Sequence, residues 1–168
     1  MRKLILFRHA KAERRAASGE DYDRDLTDRG AADAVIMGGV LASRGHTPDR
    51  VLVSGAVRTR ATWSALSHAF AGAVSTVDED LFNASADQLI AAAQASAEPG
   101  CVMVIAHNPG LHEAAMRLLV QGAAGAGDLY QVRQGMPTAT AGVFDMSGPA
   151  PRLLDWLFAR DFGGGAGE

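Results

Sequence analysis

The residues of this chain best suited to do chemistry are basic side chains that directly follow apolar runs. Arg8 and His9 come straight after Leu4–Phe7, and His107 comes straight after Cys101–Ala106, a run that carries no charge. Short apolar runs bounded by polar residues are typical of buried strands. A basic residue in such a position lies at the carboxyl end of its strand, which is where open α/β sheets bind ligands.

Two further cations, Arg58 and Arg60, closely follow a third apolar run at 50–54. If the three runs are parallel strands of one sheet, their carboxyl ends share an edge and the side chains can converge there. Arginine donates forked, charge-assisted hydrogen bonds to phosphate oxygens, and histidine can act as a nucleophile or a donor near neutral pH. The combination predicts a site for a phosphoryl group at this edge.

Each histidine and arginine also has an ordinary structural explanation. A histidine after a strand is often a surface or capped residue, and Arg58 alone fits a solvated helix position; their joint placement favours a site. His46 is expected in an exposed loop and His68 on a helix surface. His112-Glu113 lacks the second histidine of a zinc-protease motif, and no other cluster has metal-ligand spacing. No metal and no other cofactor is therefore expected.

Hydrophobic periodicity predicts the elements that position these residues. Alternation of strands and helices predicts a mostly parallel sheet covered on both faces, and two closing strands joined without a helix predict at least one antiparallel strand. The predicted fold is an α/β protein, a three-layer α/β/α sandwich. The predicted strands cover 4–7, 50–54, 74–77, 101–106, 138–146 and 152–158, and the helices about 28–44, 58–70, 86–97 and 109–120.

Local signals set the limits of several elements. Thr27 is predicted to cap the first helix, and Gly45 is predicted to end it. Asn108 is predicted to be the N-cap of the last helix, with Pro109 at its first position and free main-chain N–H groups beside the site. The segment Gly122–Gly127 consists of glycine and alanine and is predicted to be flexible.

Length and composition limit the organisation and the partners. The 168 residues predict a single domain over 1–160 and a flexible, glycine-rich tail over 161–168. A net charge of −3 without a dense Lys/Arg tract argues against binding to nucleic acid or to a membrane surface. The one cysteine, Cys101, is expected to be a core thiol, which fits a reducing compartment. The expected location is the cytoplasm, since no segment has the roughly 20 apolar residues of a membrane span.

Several of these segments, in the same order, resemble motifs of the histidine phosphatase superfamily, which is phosphoglycerate mutase-like in fold, and in particular its short SixA-type phosphohistidine phosphatases. The Arg-His element alone is weakly specific, whereas the ordered set is strong and covers roughly Arg2 to Trp156. The chain also lacks the long insertions expected in phosphoglycerate mutases. The matching segments are 6–13, 25–30, 51–54, 58–62, 81–84, 104–109 and 137–140.

The resemblance implies a role for each matching residue. His9 would be the nucleophile that takes the phosphoryl group, and Arg8 and Arg58 would hold its oxygens. His107 would be a second donor to those oxygens, most useful when protonated. Arg24, in the long polar loop 11–25, would close over the phosphate.

The resemblance places two further groups of residues near the substrate. Asn108 would bind substrate beside His107. Larger members have a glutamate general acid, and here only Glu79 and Asp80 fall near the matching place; a solvated acidic turn explains them equally well. The lack of a clear general acid favours a phosphohistidine substrate, because imidazole is a better leaving group than an alkoxide and depends less on such an acid.

The resulting expectation is a metal-independent phosphatase that works through a covalent phosphohistidine and dephosphorylates a phosphohistidine-containing signalling protein. Two alternatives stay open. One is a phosphomonoesterase with the same site that acts on a small phosphorylated metabolite. The other is a module that binds phosphate or phosphoprotein without catalysis.

Overall fold

A computed structural model describes residues 1–96 and 100–168. Its strands form a single six-stranded sheet in the order β3-β2-β4-β1-β5-β6. The strands are β1 (Lys3–Arg8), β2 (Arg50–Ser54), β3 (Val74–Asp78), β4 (Cys101–Ala106), β5 (Thr140–Asp145) and β6 (Arg152–Phe158).

Helices connect the strands and cover both faces of the sheet, so the predicted α/β sandwich is confirmed. The α-helices are α1 (Asp28–Ser43), α2 (Val57–Leu66), α3 (Ala86–Ala95), α4 (Gly110–Gln121) and α5 (Ala126–Arg133). Short 3₁₀ turns cover Asp21–Asp23, Ser67–Ala69, Glu79–Leu81 and Ala159–Phe162. Position 97, where the third helix was predicted to end, lies outside the described residues.

Strand pairing aligns the carboxyl ends of the parallel strands. β1 and β2 both pair with β4 in parallel, with Arg8 opposite Ala106 and Val53 opposite Ile105. β5 is antiparallel to β1, and β6 is antiparallel to β5, as the short connection between β5 and β6 requires. The residues that follow β1, β2 and β4 therefore reach the same edge of the sheet.

Alternation along β1 divides its side chains between two hydrophobic cores. Leu4 and Leu6 pack in the core under α3 and α4, whereas Ile5 and Phe7 pack in the core under α1 and α2. All four side chains are fully buried. A central parallel strand is buried on both faces in this way, which explains its continuous apolar run.

The start of α1 is fixed to the chain that follows β1. As predicted, Thr27 is the N-cap, and its hydroxyl accepts from the Gly30 N–H at 2.9 Å. Its main-chain N–H donates to the Lys11 carbonyl at 2.9 Å. A Cβ on Gly30 would lie 2.1 Å from that carbonyl oxygen, so only glycine fits this close approach.

Two local predictions, on Asn108 and His46, are wrong because contacts distant in sequence decide the structure. α4 begins at Gly110 with Pro109 as its N-cap, and the Asn108 side chain donates instead to the Met136 carbonyl. The glycine–alanine segment 122–127 leads into α5, a helix that the sequence did not predict, and its flexibility stays a prediction. His46 is buried, because its ring contacts Asp155 at 2.6 Å and Lys3 at 3.0 Å.

Other predictions describe residues correctly. Cys101 is buried and unpaired, and burial raises the pKa of its thiol to about 12. His68 is exposed in a 3₁₀ turn. The segment 161–168 lies against α1 and the start of β5, and its flexibility stays a prediction. None of the helices within residues 1–96 and 100–168 is long and apolar enough to cross a membrane.

Candidate active site

His9 lies immediately beyond β1, and its ring is oriented by the main chain next to it. The side chain is buried, with 7% of its surface exposed. Its Nδ1 lies 2.8 Å from the Ala10 carbonyl oxygen. A carbonyl can only accept, so Nδ1 carries the proton and the neutral ring keeps its lone pair on Nε2. This is the tautomer that a nucleophilic histidine requires.

The surroundings of His9 keep the ring uncharged. Its pKa is lowered from 6.5 to about 3, mainly by burial, and the nearby His107, Arg58 and Arg8 act in the same direction while the hydrogen bond to Ala10 opposes them. Desolvation and neighbouring positive charge both disfavour the imidazolium form. The His9 ring is therefore neutral at neutral pH, and its Nε2 lone pair is available.

A buried hydroxyl links the residue after His9 to the helix that carries Arg58. The Ala10 N–H donates to Thr62 Oγ1 at 3.0 Å, and the same hydroxyl donates to the Arg58 carbonyl at 2.7 Å. On the other side, the Ala139 N–H donates to the His9 carbonyl at 3.1 Å. These bonds fix the position of the histidine between α2 and β5.

His107 follows β4 and lies beside His9, with 5.2 Å between the ring centroids. Its Nε2 is 2.8 Å from the Ser54 hydroxyl at the end of β2. Phe82 packs its edge against the ring. Burial, with a smaller contribution from Arg58, lowers the pKa of His107 to about 3. The ring of His107 is thus neutral in this structure. The resemblance predicts that His107 donates best to phosphoryl oxygens when it is protonated.

The two arginines lie at the same edge and are held by carbonyl and carboxylate oxygens. Arg58 is 5% exposed and donates to the Asp21 main-chain oxygen at 2.7 Å and to its carboxylate at 3.0 Å. Arg8 donates to the main-chain oxygens of Met136, at 2.9 Å, and Glu168. Burial lowers the pKa of both guanidiniums, though arginine remains charged at any physiological pH.

Unused hydrogen-bonding groups concentrate at these residues. Among the residues that the structure describes, six buried side-chain polar atoms have no partner, and four of them belong to predicted site residues. Those four are Arg8 Nε, Arg58 Nε, His107 Nδ1 and Asn108 Oδ1. Buried polar groups without partners are costly and uncommon, so such a cluster is typical of a site that binds a polar ligand.

A cavity of about 410 Å³ opens beside three of these four residues, and neither Arg8 nor His9 is among its walls. Its walls include Arg58, His107 and Asn108, together with Asp21 and Phe82. A phosphoryl group is far smaller than this volume, so the cavity can also hold part of the molecule that carries it. The residues predicted from the sequence to converge, His9, His107 and Arg58, do lie at one edge of the sheet.

Comparison with known proteins gives a family for this arrangement. Residues 4–88, half of the chain, match the model of the histidine phosphatase superfamily (branch 1). An uncharacterized chloroplastic protein of Arabidopsis thaliana is 30% identical over 176 aligned positions, which cover 95% of this chain and 78% of that protein. The chain belongs to the histidine phosphatase superfamily.

Solved structures are similar over almost the whole length of this histidine phosphatase. A candidate phosphohistidine phosphatase SixA from Agrobacterium tumefaciens is 29% identical with a TM-score of 0.81, covering 94% of this chain and 97% of that one. A second, from Nakamurella multipartitia, is 28% identical with a TM-score of 0.79, covering 94% and 95%. The fold of a protein histidine phosphatase SixA complexed with tungstate also matches, at 19% identity and a TM-score of 0.72, covering 95% and 98%.

These similarities confirm the SixA-type assignment, and with it the class of enzyme. The histidine phosphatase is a metal-independent hydrolase of phosphoryl groups, and its substrates are phosphorylated compounds. Within residues 1–96 and 100–168, no group of three or more His, Cys, Asp or Glu side chains could hold a metal ion.

Two further arginines that the sequence singled out, Arg24 and Arg60, do not line the cavity. Arg24 does not line the cavity; its Nε pairs with the Asp21 carboxylate at 2.8 Å, so Asp21 stands between Arg24 and Arg58. Arg60 is exposed on α2 and is not among the cavity walls.

Glu79 and Asp80 lie in the 3₁₀ turn after β3. The Glu79 carboxylate accepts from the Tyr22 hydroxyl at 2.5 Å, a bond that raises the pKa of Tyr22. A Cβ on Gly55 would lie 2.0 Å from the same carboxylate, so glycine at the end of β2 makes room for it. Asp80 is exposed. Neither carboxyl lines the cavity, and a role as general acid stays a prediction.

Sequence reasoning missed several residues that shape the site. Ser54 contacts His107, Thr62 supports Ala10, and Asp21 pairs with Arg58. Ser54 carried a usable signal, because a polar residue at the end of a buried strand occupies the same kind of position as His9. Thr62 lies in a predicted helix and a matching motif segment, but its contact with Ala10, 52 residues away, could not be read from the sequence.

Proposed function

We propose that this histidine phosphatase removes the phosphoryl group from a phosphohistidine in a signalling protein, through a phosphohistidine formed on its own His9. The observation that carries the proposal is the hydrogen bond from His9 Nδ1 to the Ala10 carbonyl. It leaves the Nε2 lone pair of a buried, neutral ring among His107, Arg8 and Arg58.

In the first step, His9 Nε2 attacks phosphorus while the P–N bond of the substrate phosphohistidine breaks. The substrate ring takes a proton from solvent on its other nitrogen before the P–N bond breaks, so it leaves as neutral imidazole. Arg8 and Arg58 stabilise the negative charge on the phosphoryl oxygens during the transfer, and His107 Nδ1, which lacks a partner, supplies a further hydrogen bond. The dianion beside His107 favours protonation of that ring, opposite to the effect of burial.

In the second step, water attacks the phosphorus of phosphorylated His9 and the P–Nε2 bond breaks. Orthophosphate leaves, and His9 regains its lone pair with its Nδ1–H still held by Ala10. Fixed cations supply the charge stabilisation that metal ions provide in other phosphoryl-transfer enzymes. No residue other than His9 changes its covalent state.

The setting of Glu79 supports a phosphohistidine substrate over an alkyl phosphate. Its carboxylate is engaged by the Tyr22 hydroxyl. An alkoxide leaving group depends strongly on an enzymic acid, whereas an imidazole leaves well once its ring is protonated. Turnover of a phosphohistidine peptide and of an alkyl phosphate should therefore be compared; a preference for the alkyl ester contradicts the proposed substrate and favours the metabolite phosphatase.

Trapping the covalent intermediate tests the proposed mechanism directly. The enzyme is mixed briefly with a phosphohistidine protein labelled on its phosphoryl group and then denatured in base. We expect a base-stable, acid-labile label on the enzyme that is absent in His9→Ala and present in the control His68→Ala, which changes an exposed histidine. A label that persists in His9→Ala contradicts the assignment of the nucleophile.

The proposed partner is a phosphohistidine-containing protein of the cytoplasm. The single buried thiol of Cys101 supports a reducing compartment. The name of the Arabidopsis relative places that protein in the chloroplast and says nothing of the location of this chain. Fractionation of cells that express the full chain tests the compartment.

A further inference from the structure

The segment 163–168 follows a defined path over α1 that ends at the phosphoryl site. Arg29 donates to the Gly163 carbonyl at 3.2 Å, and the Gly165 N–H donates to the Asp33 carboxylate at 2.9 Å. Asp33 is 2% exposed and is also paired with Arg29 at 2.9 Å. A buried carboxylate therefore fixes the middle of the segment.

Close approaches along this path show that the segment is fitted to the surface. A Cβ on Gly164 would lie 2.6 Å from the Ala159 carbonyl oxygen. Gly167 has a φ of +73°, and a Cβ there would lie 2.8 Å from Pro137. The glycines thus allow the main chain to lie flat against the protein, which larger residues would prevent.

The last residue of the segment, Glu168, contacts the site with both its main chain and its side chain. Its main-chain oxygen accepts from the Arg8 guanidinium and, at 3.1 Å, from the Thr138 N–H. Its N–H donates to the Thr138 hydroxyl at 3.2 Å. Its carboxylate pairs with Lys11 at 3.1 Å, a bond that lowers the pKa of Glu168.

These contacts are the elements of peptide recognition. Thr138 pairs with the main chain of Glu168 in both directions, which any extended peptide can reproduce. Lys11 selects a carboxylate, and it stands two residues after His9. A peptide seated here would contact Arg8, the residue directly before His9.

We propose that Arg8, Lys11 and Thr138 form a subsite for an acidic residue in an extended segment of the phosphoprotein substrate, and that Glu168 occupies this subsite in the resting enzyme. The inference rests on the proposed function, and it specifies the substrate as a peptide segment with a carboxylate near the phosphohistidine. Glu168 then competes with substrate both for Lys11 and for the guanidinium of Arg8.

Kinetics with matched peptides test the subsite. Two phosphohistidine peptides differ only in a flanking Glu or Gln. We expect the Glu peptide to have a KM about two- to fivefold lower, the range of an exposed ion pair, and Lys11→Gln to abolish the difference. Equal KM values for both peptides with the parent enzyme overturn the subsite.

Release of the resident residue tests the competition. Glu168→Gln should lower the KM for the Glu peptide by about two- to fivefold with kcat unchanged, for the same reason. Asp161→Asn, a matched change of an exposed carboxylate that pairs with Arg160, should leave KM unchanged. An unchanged KM in Glu168→Gln overturns the resident role of Glu168.

A binding measurement separates this inference from the proposed function. A peptide of the sequence 163–168 is titrated into the full-length Glu168→Gln protein by calorimetry, beside the same peptide with Gln in place of Glu168. Tighter binding of the Glu peptide supports the subsite even if no substrate turns over, in which case only the proposed function fails. Equal or undetectable binding of both peptides, with turnover intact, overturns the inference alone.

Discussion

The carboxylate of Asp21 lies 3.0 Å from the guanidinium of Arg58, and the Asp21 main-chain oxygen lies 2.7 Å from the same group. The two partners differ in burial: 6% of the Arg58 side chain is exposed, against 60% of the Asp21 side chain. Arg58 is therefore the fixed partner and Asp21 the one that can move away. If Arg58 holds the phosphoryl group as proposed, that group would take the place of the Asp21 carboxylate.

Asp21→Asn is predicted to tighten the binding of inorganic phosphate. The substitution removes the competing charge, and an exposed carboxylate of this kind contributes up to about 1 kcal/mol, or about fivefold in affinity. Competitive inhibition by phosphate gives the measurement. Asp23→Asn, in the same 3₁₀ turn, is the control and should leave the inhibition constant unchanged. Weaker phosphate binding by Asp21→Asn would show that Asp21 mainly orients Arg58.

The ring of His9 is predicted to stay neutral throughout the range from pH 5 to 8. Its pKa of about 3 lies well below that range, because burial and neighbouring cations disfavour the charged form. Ring-nitrogen NMR at a series of pH values should show a protonated Nδ1 and an unprotonated Nε2 without a titration step, with His9→Asn used to assign the signals. An inflection near pH 6.5 would contradict the proposed state of the nucleophile.

Stability is predicted to fall as the pH falls from about 6.5 towards 3. In that window the unfolded chain binds protons on His9 and His107, whereas the folded chain, in which both pKa values are about 3, does not. Between pH 6.5 and pH 5 each histidine accounts for a loss of up to about 2 kcal/mol. Urea unfolding at pH 7 and pH 5 should therefore show a smaller loss for His107→Asn than for the parent. Equal losses would contradict the lowered pKa of His107.

Thr62→Val is predicted to lower both stability and the rate of phosphoenzyme formation. Valine keeps the shape but leaves the buried Ala10 N–H without an acceptor, which costs about 1–3 kcal/mol. Thr62→Ser retains the hydroxyl and should preserve the rate. Urea unfolding and a rapid-quench measurement of label on His9 report the two effects. If the valine variant forms phosphoenzyme at the parent rate, Thr62 does not position His9.

Gly30→Ala is predicted to damage the site from the start of α1. Its methyl group would lie 2.1 Å from the Lys11 carbonyl, so the chain after His9 must shift, at a cost of about 1–3 kcal/mol. Gly39→Ala is the matched control: it lies in the same helix with nothing within 4 Å of the added carbon, and alanine favours a helix by about 1 kcal/mol. The unfolding temperature and the turnover rate should both fall for Gly30→Ala. Neither should fall for Gly39→Ala. Equal behaviour of the two variants would contradict the close approach.

The sheet, and the basic residues at its carboxyl edge, could be predicted because both follow from short local sequence patterns. β1 and β4 are buried on both faces, so each appears as a short continuous apolar run, and the basic residue after each run must emerge at the carboxyl edge. Parallel pairing then brings Arg8 level with Ala106, directly before His107. The convergence follows from topology, without knowledge of any contact between side chains.

The features that could not be predicted depend on partners far away in the chain. α5 forms although glycine and alanine dominate its start, because Val132 and Leu129 pack on the hydrophobic core. Asn108 does not cap α4, because its side-chain amide donates to the Met136 carbonyl, 28 residues further along the chain. His46 is buried by Asp155, 109 residues away. In each case tertiary packing overrides a local propensity.

β1, which carries Arg8 at its end and leads into His9, is hydrogen-bonded to β4 on one side and to β5 on the other. The amides of such an interior strand exchange with solvent only when the whole molecule opens. Denaturant titrations should therefore give one midpoint for hydrogen exchange in β1 and for loss of turnover. A variant that only destabilises the fold would therefore lower the fraction of folded enzyme and leave the turnover number of each folded molecule unchanged.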